Sequence, residues 1–518
     1  MPSDSQTAGY EPIRPPRRAG RGRESEPVTP SLSARAAAGD ETFPAGVEFP
    51  PPRREKSLTP GAEDARAEGD AGDPTPRDAA PPLKDAALPL KRGHGLAYAG
   101  LFLFTLVVYF RPYELISALA PLAAWLAFPL AIATALFYFP AQLGLEGNLT
   151  APLREVKLVL LLCLFAALSL PLALNRGEAW EGFVNYLKVA LVFVMLVNAL
   201  RTEGRLRRLV VLLLAASVVL SLGALSDYRA GRFNTGGERI AGIVGGMFGN
   251  PNDLAMHLST MVPLAFVLFL SSRALKKMAY AALAVLMAVA VVLTFSRGGF
   301  LGLAAGGIVL MWKLGRRHRL FVFAASAVVV VAFVVLMPSE YSGRLTSIVD
   351  TAKDLTGSAG ARREILIVSL INIAKHPLFG VGMNNFHIVS IHEQVSHNAY
   401  TQVGSELGVP AMIAYVLFLL APLKRLRRVE RETLPLKRSH DYYWAVGLQA
   451  SLVAYMVSSF FGSVAYLWYI YYLVALAVCF HRVYESKKLT AAASRDAAGG
   501  EATVAAPAFA GDALGAGV

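Results

Sequence analysis

Twelve residues, HNAYTQVGSELG from His397 to Gly408, put a histidine and several small residues directly ahead of an apolar stretch, VPAMIAYVLFLLAPL. Histidine is the side chain whose ordinary pKa lies nearest neutrality, so His397 suits a general base that takes a proton from a hydroxyl. A hydrogen-bonded structural histidine is the alternative. On a helix, His397, Thr401, Gly404 and Gly408 would form one stripe, and the glycines would admit a neighbouring helix or leave a groove. Glu406 would fall on the opposite side, where it is expected to cap the span or face another helix. Asn398, beside the histidine, is a weaker candidate for positioning a substrate.

A second set of residues suits anion binding. Arg239 in GGERIAG and Arg297 in TFSRGGF lie near the ends of apolar runs, and Arg362 and Arg363 lie in a long loop. A guanidinium gives permanently charged, bidentate contacts that match a pyrophosphate. Between the first two stands GMFGNPNDLAMHLS, in which Asn250, Pro251, Asn252 and Asp253 look like a helix start with polar caps and an early proline. Its backbone donors would favour an anion, although Asp253 itself would repel one. Asn250 and Asn252 are further weak candidates for substrate positioning. Structural roles stay open for each: Arg297 snorkelling from a helix end, Gly298 and Gly299 allowing close helix packing, GNPND forming an ordinary capped turn.

The missing motifs narrow the chemistry. The segments assigned outside hold no D-x-D or E-x-D, and no His/Asp/Glu cluster has metal-ligand spacing, so no metal site is expected and no cofactor either. A charged leaving group would then have to be neutralised by arginine. There is no G-x-x-x-x-G-K-[ST] for a nucleotide-driven motor and no G-x-S-x-G nucleophile elbow. Cys163 and Cys479 are the only cysteines, and both fall in apolar runs, which excludes a disulfide framework and a cysteine zinc site.

The elements that must hold these residues are membrane helices. The chain has 518 residues, 54% of them hydrophobic and 17% charged. Nearly uncharged runs long enough to cross a hydrocarbon core of about 30 Å recur from residue 95 onward. They predict about twelve spans, near 95–110, 117–139, 156–174, 183–200, 208–226, 253–271, 278–295, 298–314, 319–337, 405–422, 442–462 and 464–482. The fold class expected is an all-α polytopic membrane protein.

Charge asymmetry orients it. Residues 1–90 hold 12 Lys/Arg against 15 Asp/Glu, so the formal +13 of the chain becomes +16 over the remainder. Four loops (RTEGRLRR, SSRALKK, KLGRRHR and KRLRRVERETLPLKR) hold 4, 3, 4 and 7 basic residues. The positive-inside rule assigns them, and both termini, to the cytoplasm and argues against nucleic-acid binding. The expected organisation is a disordered, proline-rich tail over 1–92, helices over 93–337, a large external loop over 338–404, helices over 405–484 and a second disordered tail over 485–518. The polar first ninety residues are not expected to include a cleavable secretory signal. Within the loop, REILIVSLINIAKHPLFGVGMNNF predicts an amphipathic helix lying on the outer membrane surface.

Taken in order, GMFGNPNDLA, TFSRGGFLGL, HPLFGVGMNNF and HNAYTQVGSELGVP resemble the bacterial O-antigen ligase and polymerase superfamily, the match covering roughly residues 230–425. The family's histidine motif, H-[NSQ]-x9-G-x-x-[GTY], is met by His397, Asn398 and Gly408, while Ala411 stands at its last position. The resemblance implies a metal-independent glycosyltransferase of type-C membrane architecture in the bacterial plasma (inner) membrane. It implies transfer of a glycan from an undecaprenyl-pyrophosphate carrier to an acceptor hydroxyl at the outer face. His397 would then be the catalytic base, and Arg297 and Arg239 would hold the pyrophosphate. A glycan, a lipid A core and a protein hydroxyl are all open as acceptors. The competing class is a transporter or flippase of lipid-linked glycan, which would place its ionisable residues near the bilayer midplane in repeated halves. Lys188 is the main internal charge, and no paired halves are evident.

Overall fold

The computed structural model describes residues 90–504 apart from 92, 234–238, 241, 316–319, 321–357, 437 and 438. The described elements are all helical. The principal ones are α1 (Gly95–Phe110), α2 (Ala123–Glu146), α3 (Arg154–Ser169), α4 (Arg176–Ala199), α5 (Glu203–Arg229), α6 (Pro251–Ser271), α7 (Ala274–Leu293) and α8 (Arg297–Gly315). After them come α9 (Ser358–Lys375), α10 (Ala399–Leu407), α11 (Val409–Thr433), α12 (His440–Ser458) and α13 (Trp468–Val504). Ten helices among the described residues are long and apolar enough to cross a membrane, and each corresponds to one of the twelve expected spans. The span expected at 319–337 lies outside the described residues. The one at 464–482 is the first half of α13, whose tyrosines and His481-Arg482 pair make it less apolar than the rest.

Helix α13 is nevertheless a core element, with Val474, Leu476, Val478 and Cys479 all fully buried. It also continues through Val504. The alanine-rich sequence of that stretch explains the helix, since alanine loses the least freedom on becoming helical. The expected disorder of residues 1–89 and 505–518 falls outside the described residues.

Helices α6, α8 and α12 form a tightly packed group, because α8 presents glycine to both neighbours. A Cβ on Gly302 would stand 2.8 Å from the Ala454 carbonyl oxygen and from the Ser458 Cβ, and one on Gly299 would collide with Ala255. Close approach of backbones at small residues is how helices associate in lipid, where burial of apolar surface adds little.

Polar contacts pin the two ends of the bundle. At one end Arg425 pairs with the buried Glu155 at 2.8 Å, Lys313 pairs with Glu430, and Gln449 donates to the same Glu430 carboxylate. The opposite end carries the candidate site.

Candidate active site

At that opposite end, α6 begins where the sequence places a helix start. Asn250 is the N-cap, its Oδ1 accepting the Asn252 backbone N–H at 2.8 Å, and Pro251 occupies the first turn. Asn250 is thus a helix cap in this structure. Asn252 does something more: its Oδ1 accepts from Arg239 Nη2 at 2.7 Å and from Ser296 Oγ at 2.9 Å. One amide oxygen therefore ties the Arg239 side chain to the residue that precedes Arg297. Ser296 Oγ also accepts the Gly299 backbone N–H at 3.3 Å and so caps α8, whose first residue is the half-buried Arg297. The segment from Arg239 to Asn252 is held from behind as well. Glu114, paired with Arg111 at 2.5 Å, accepts the Gly245 backbone N–H at 2.6 Å, and Gly246 turns at φ 60° against the Arg111 guanidinium.

His397 departs from the expected geometry. It does not lie on the helix but precedes it, in left-handed backbone conformation at φ 52°. Asn398 is the cap of α10, its Oδ1 accepting from the Tyr400 and Thr401 backbone N–H groups at 2.9 and 3.2 Å. The helix then ends at Gly408 with φ 90°, and α11 starts at Val409 with Pro410 in its first turn. The single stripe from His397 to Gly408 is therefore corrected: both of its ends lie outside the nine residues of α10. The break at Gly408 is enforced by close approach, since a Cβ there would collide with the backbone of Leu378 and Phe379.

A left-handed histidine is uncommon and has to be held by its surroundings. Here the His397 backbone N–H donates to Ser463 Oγ at 2.8 Å. Burial, reinforced by the charge of Arg362, pushes the His397 imidazole down to about 4, so the ring is neutral at pH 7 and has a free lone pair for a proton.

Glu406 sits far from this histidine, at the other end of α10. Its carboxyl is 4% exposed and faces the backbone amides of Asn384 and Phe386 and the Tyr466 hydroxyl, while its Oε2 makes no hydrogen bond. Burial raises it to about 8, so it is protonated at pH 7. The same end of α10 is clipped to the glycine turn at 380–382: Val381 N–H donates to Ser405 O and Gly382 N–H to Glu406 O, both at 3.0 Å. The sequence left Glu406 either capping the span or facing another helix; its carboxyl instead lies against the loop at 384–386 and the Tyr466 hydroxyl, away from the substrate candidates.

The turn from Ser459 to Ser463 joins the two halves of the site. Ser463 holds the His397 backbone, and Phe461 packs against Gly298, where a Cβ would come within 2.6 Å. His397, Arg297, Arg239 and Asn252 are thus brought to one end of the bundle, whereas Asn250, Asn398 and Glu406 serve caps and a loop. Among the described residues, no group of three or more His, Cys, Asp or Glu side chains is arranged to hold a metal ion. Sequence reasoning missed Ser296, Ser463 and the Arg111–Glu114 pair. Arg111, at the end of the first apolar run, was open to the same argument that selected Arg239; the two serines carry no comparable signal.

The O-antigen ligase family model matches residues 282–416 of this chain, about a quarter of its length. That stretch runs from α7 through α10 into α11 and includes Arg297 and His397. The match includes three of the four motifs, GMFGNPNDLA lying ahead of it, and supports the O-antigen ligase-like resemblance and with it, broadly, a membrane glycosyltransferase of ligase or polymerase type. No curated protein matches the chain.

Proposed function

We propose that this protein transfers or polymerises glycan from an undecaprenyl-pyrophosphate carrier onto an acceptor hydroxyl at the outer face of the bacterial plasma membrane. The observation that carries the reading is the placement of His397 and Arg297 on either side of one turn, with Arg239 bridged to the head of α8 through Asn252. Arg239 and Arg297 hold the pyrophosphate. The acceptor oxygen attacks the anomeric carbon, the bond from that carbon to the phosphate oxygen breaks, and the hydroxyl proton passes to the neutral His397 ring. The lipid pyrophosphate departs as an anion whose charge the arginines balance, and that is the part of the barrier they lower. A base near pKa 4 is weak in the free protein. Bound pyrophosphate offsets the positive charge around the ring, raising its basicity when the acceptor is in place.

The orientation follows the charge. Arg201, Arg205, Lys313 and Arg425 belong to the end opposite the site, which this reading puts in the cytoplasm with both termini. Helix α9 then lies along the outer surface. Its Ser369 and Asn372 face inward, with Asn372 donating to Ser405 O at 3.1 Å, and its exposed Leu366, Ile367, Leu370 and Ile371 meet lipid.

The test compares cell-surface glycans in a deletion strain carrying wild-type protein or His397→Ala at equal abundance. Long chains stranded on the lipid carrier in the variant identify a ligase, and uncondensed single repeats identify a polymerase. Glycan of normal length and anchoring would overturn the reading and favour a transporter.

A further inference from the structure

The turn that links the two halves of the site also projects an aromatic ring. Phe460 is 53% exposed, although the residues on either side of it, Ser459 and Phe461, are drawn into the protein. Its ring packs against Tyr400 with centroids 4.5 Å apart and planes tilted by 38°. Tyr400 is fixed in turn: its hydroxyl donates to the Met456 carbonyl oxygen at 2.8 Å and accepts from Ser459 Oγ at 3.3 Å. Tyr400 lies three residues after His397, in the first turn of the helix that Asn398 caps. The pair is therefore built from the same two segments that place the histidine.

We infer that the Phe460–Tyr400 pair is a sugar subsite, on which a pyranose ring of the glycan stacks beside His397. The inference rests on the transferase reading and extends it to substrate recognition. A pyranose presents a face of C–H bonds with weak positive character, and the face of an aromatic ring is negative, so the two attract without any demand on hydroxyl pattern. An aromatic side chain held rigidly by hydrogen-bonded neighbours pays little entropy on binding. A side chain kept only for lipid contact would need neither a fixed aromatic partner nor a place in the turn that bonds the histidine backbone.

The experiment uses the full-length protein in lipid nanodiscs with Phe460→Trp as a fluorescent reporter. Three probes are titrated: oligosaccharide released from the host's lipid-linked glycan, the intact lipid-linked glycan, and sugar-free undecaprenyl pyrophosphate. A change in tryptophan emission with either sugar-bearing probe and none with the sugar-free carrier supports the subsite. Response to the free oligosaccharide marks acceptor sugar, and response only to the lipid-linked form marks donor sugar. A response to the sugar-free carrier, or to none of the three, overturns the proposal.

In transfer assays Phe460→Leu, which keeps apolar bulk without a ring face, should raise the KM for the corresponding glycan by about 3- to 10-fold, the stacking contribution expected of an aromatic face. Its kcat should stay near wild type, and Phe460→Trp and Phe460→Tyr should bind normally. Equal KM values for leucine and tryptophan variants would contradict stacking. His397→Ala, tested in parallel, reports on the transferase reading alone, because its emission response should persist in the Phe460→Trp background even when transfer is lost.

Discussion

Replacing Glu406 with glutamine should remove a pH dependence from the stability of this protein. The carboxyl is fully enclosed between α10, the loop at 384–386 and Tyr466, and burial raises it from 4.5 to about 8. The native protein therefore keeps this proton between pH 4.5 and 8, where an unfolded chain would release it. Stability from this group is fully present below pH 4.5, falls as pH rises through that window, and is constant above about pH 8. At about 1.4 kcal/mol per pH unit, the difference between 4.5 and 8 amounts to about 5 kcal/mol, an upper bound because water penetration and local relaxation reduce it. Glutamine reproduces the neutral shape and never ionises. The assay is thermal unfolding in detergent or nanodiscs from pH 5 to 9, read as the difference in midpoint between the variant and wild type. His397 and the other titrating groups cancel in that difference. The midpoints should nearly coincide at pH 5 and separate by several degrees at pH 8.5, with the variant more stable. A constant offset across the range, or a wild type that gains on the variant as pH rises, would refute the burial argument.

Three further outcomes follow from packing and pairing. Gly302→Val should lower the melting midpoint, with an overpacking cost of about 1–3 kcal/mol, because its side chain would meet Ala454 and Ser458; Gly307→Ala, with open space at its Cβ, should leave the midpoint unchanged or raise it slightly. Ser463→Ala removes the hydroxyl that receives the His397 N–H, so kcat should fall by up to about tenfold and the melting midpoint should drop slightly, reflecting the loss of about 1 kcal/mol that one ordinary hydrogen bond contributes. Lys313→Met strands Glu430 in the buried end of the bundle and should cost about 3–5 kcal/mol, whereas Lys313→Met with Glu430→Gln should recover most of it, as measured by thermal unfolding.

The membrane helices were legible in the sequence because a span is a local property: twenty or so apolar residues satisfy it without reference to the rest of the chain. Local signals also placed the start of α6, through Asn250 and Pro251. The conformation at His397 was not legible, because it depends on Ser463, sixty-six residues away, and an i, i+4 spacing cannot distinguish a helical residue from one just ahead of the cap. The break at Gly408 did leave a trace in the Gly-Val-Pro sequence, but only the approach of Leu378 and Phe379 makes it obligatory. Likewise Asn252 looked like one more helix-start residue. Its function as a bridge between Arg239 and Ser296 exists only in three dimensions.

The central claim is that one end of the bundle separates pyrophosphate binding from proton removal, with arginine for the first and His397 for the second. The most direct measurement pairs donor binding with transfer, using purified protein, lipid-linked glycan and acceptor, for wild type, His397→Ala and Arg297→Ala. His397→Ala should bind the donor with near wild-type affinity and transfer nothing, while Arg297→Ala should lose donor affinity. Transfer by His397→Ala at the wild-type rate, or undiminished donor binding by Arg297→Ala, would contradict the account.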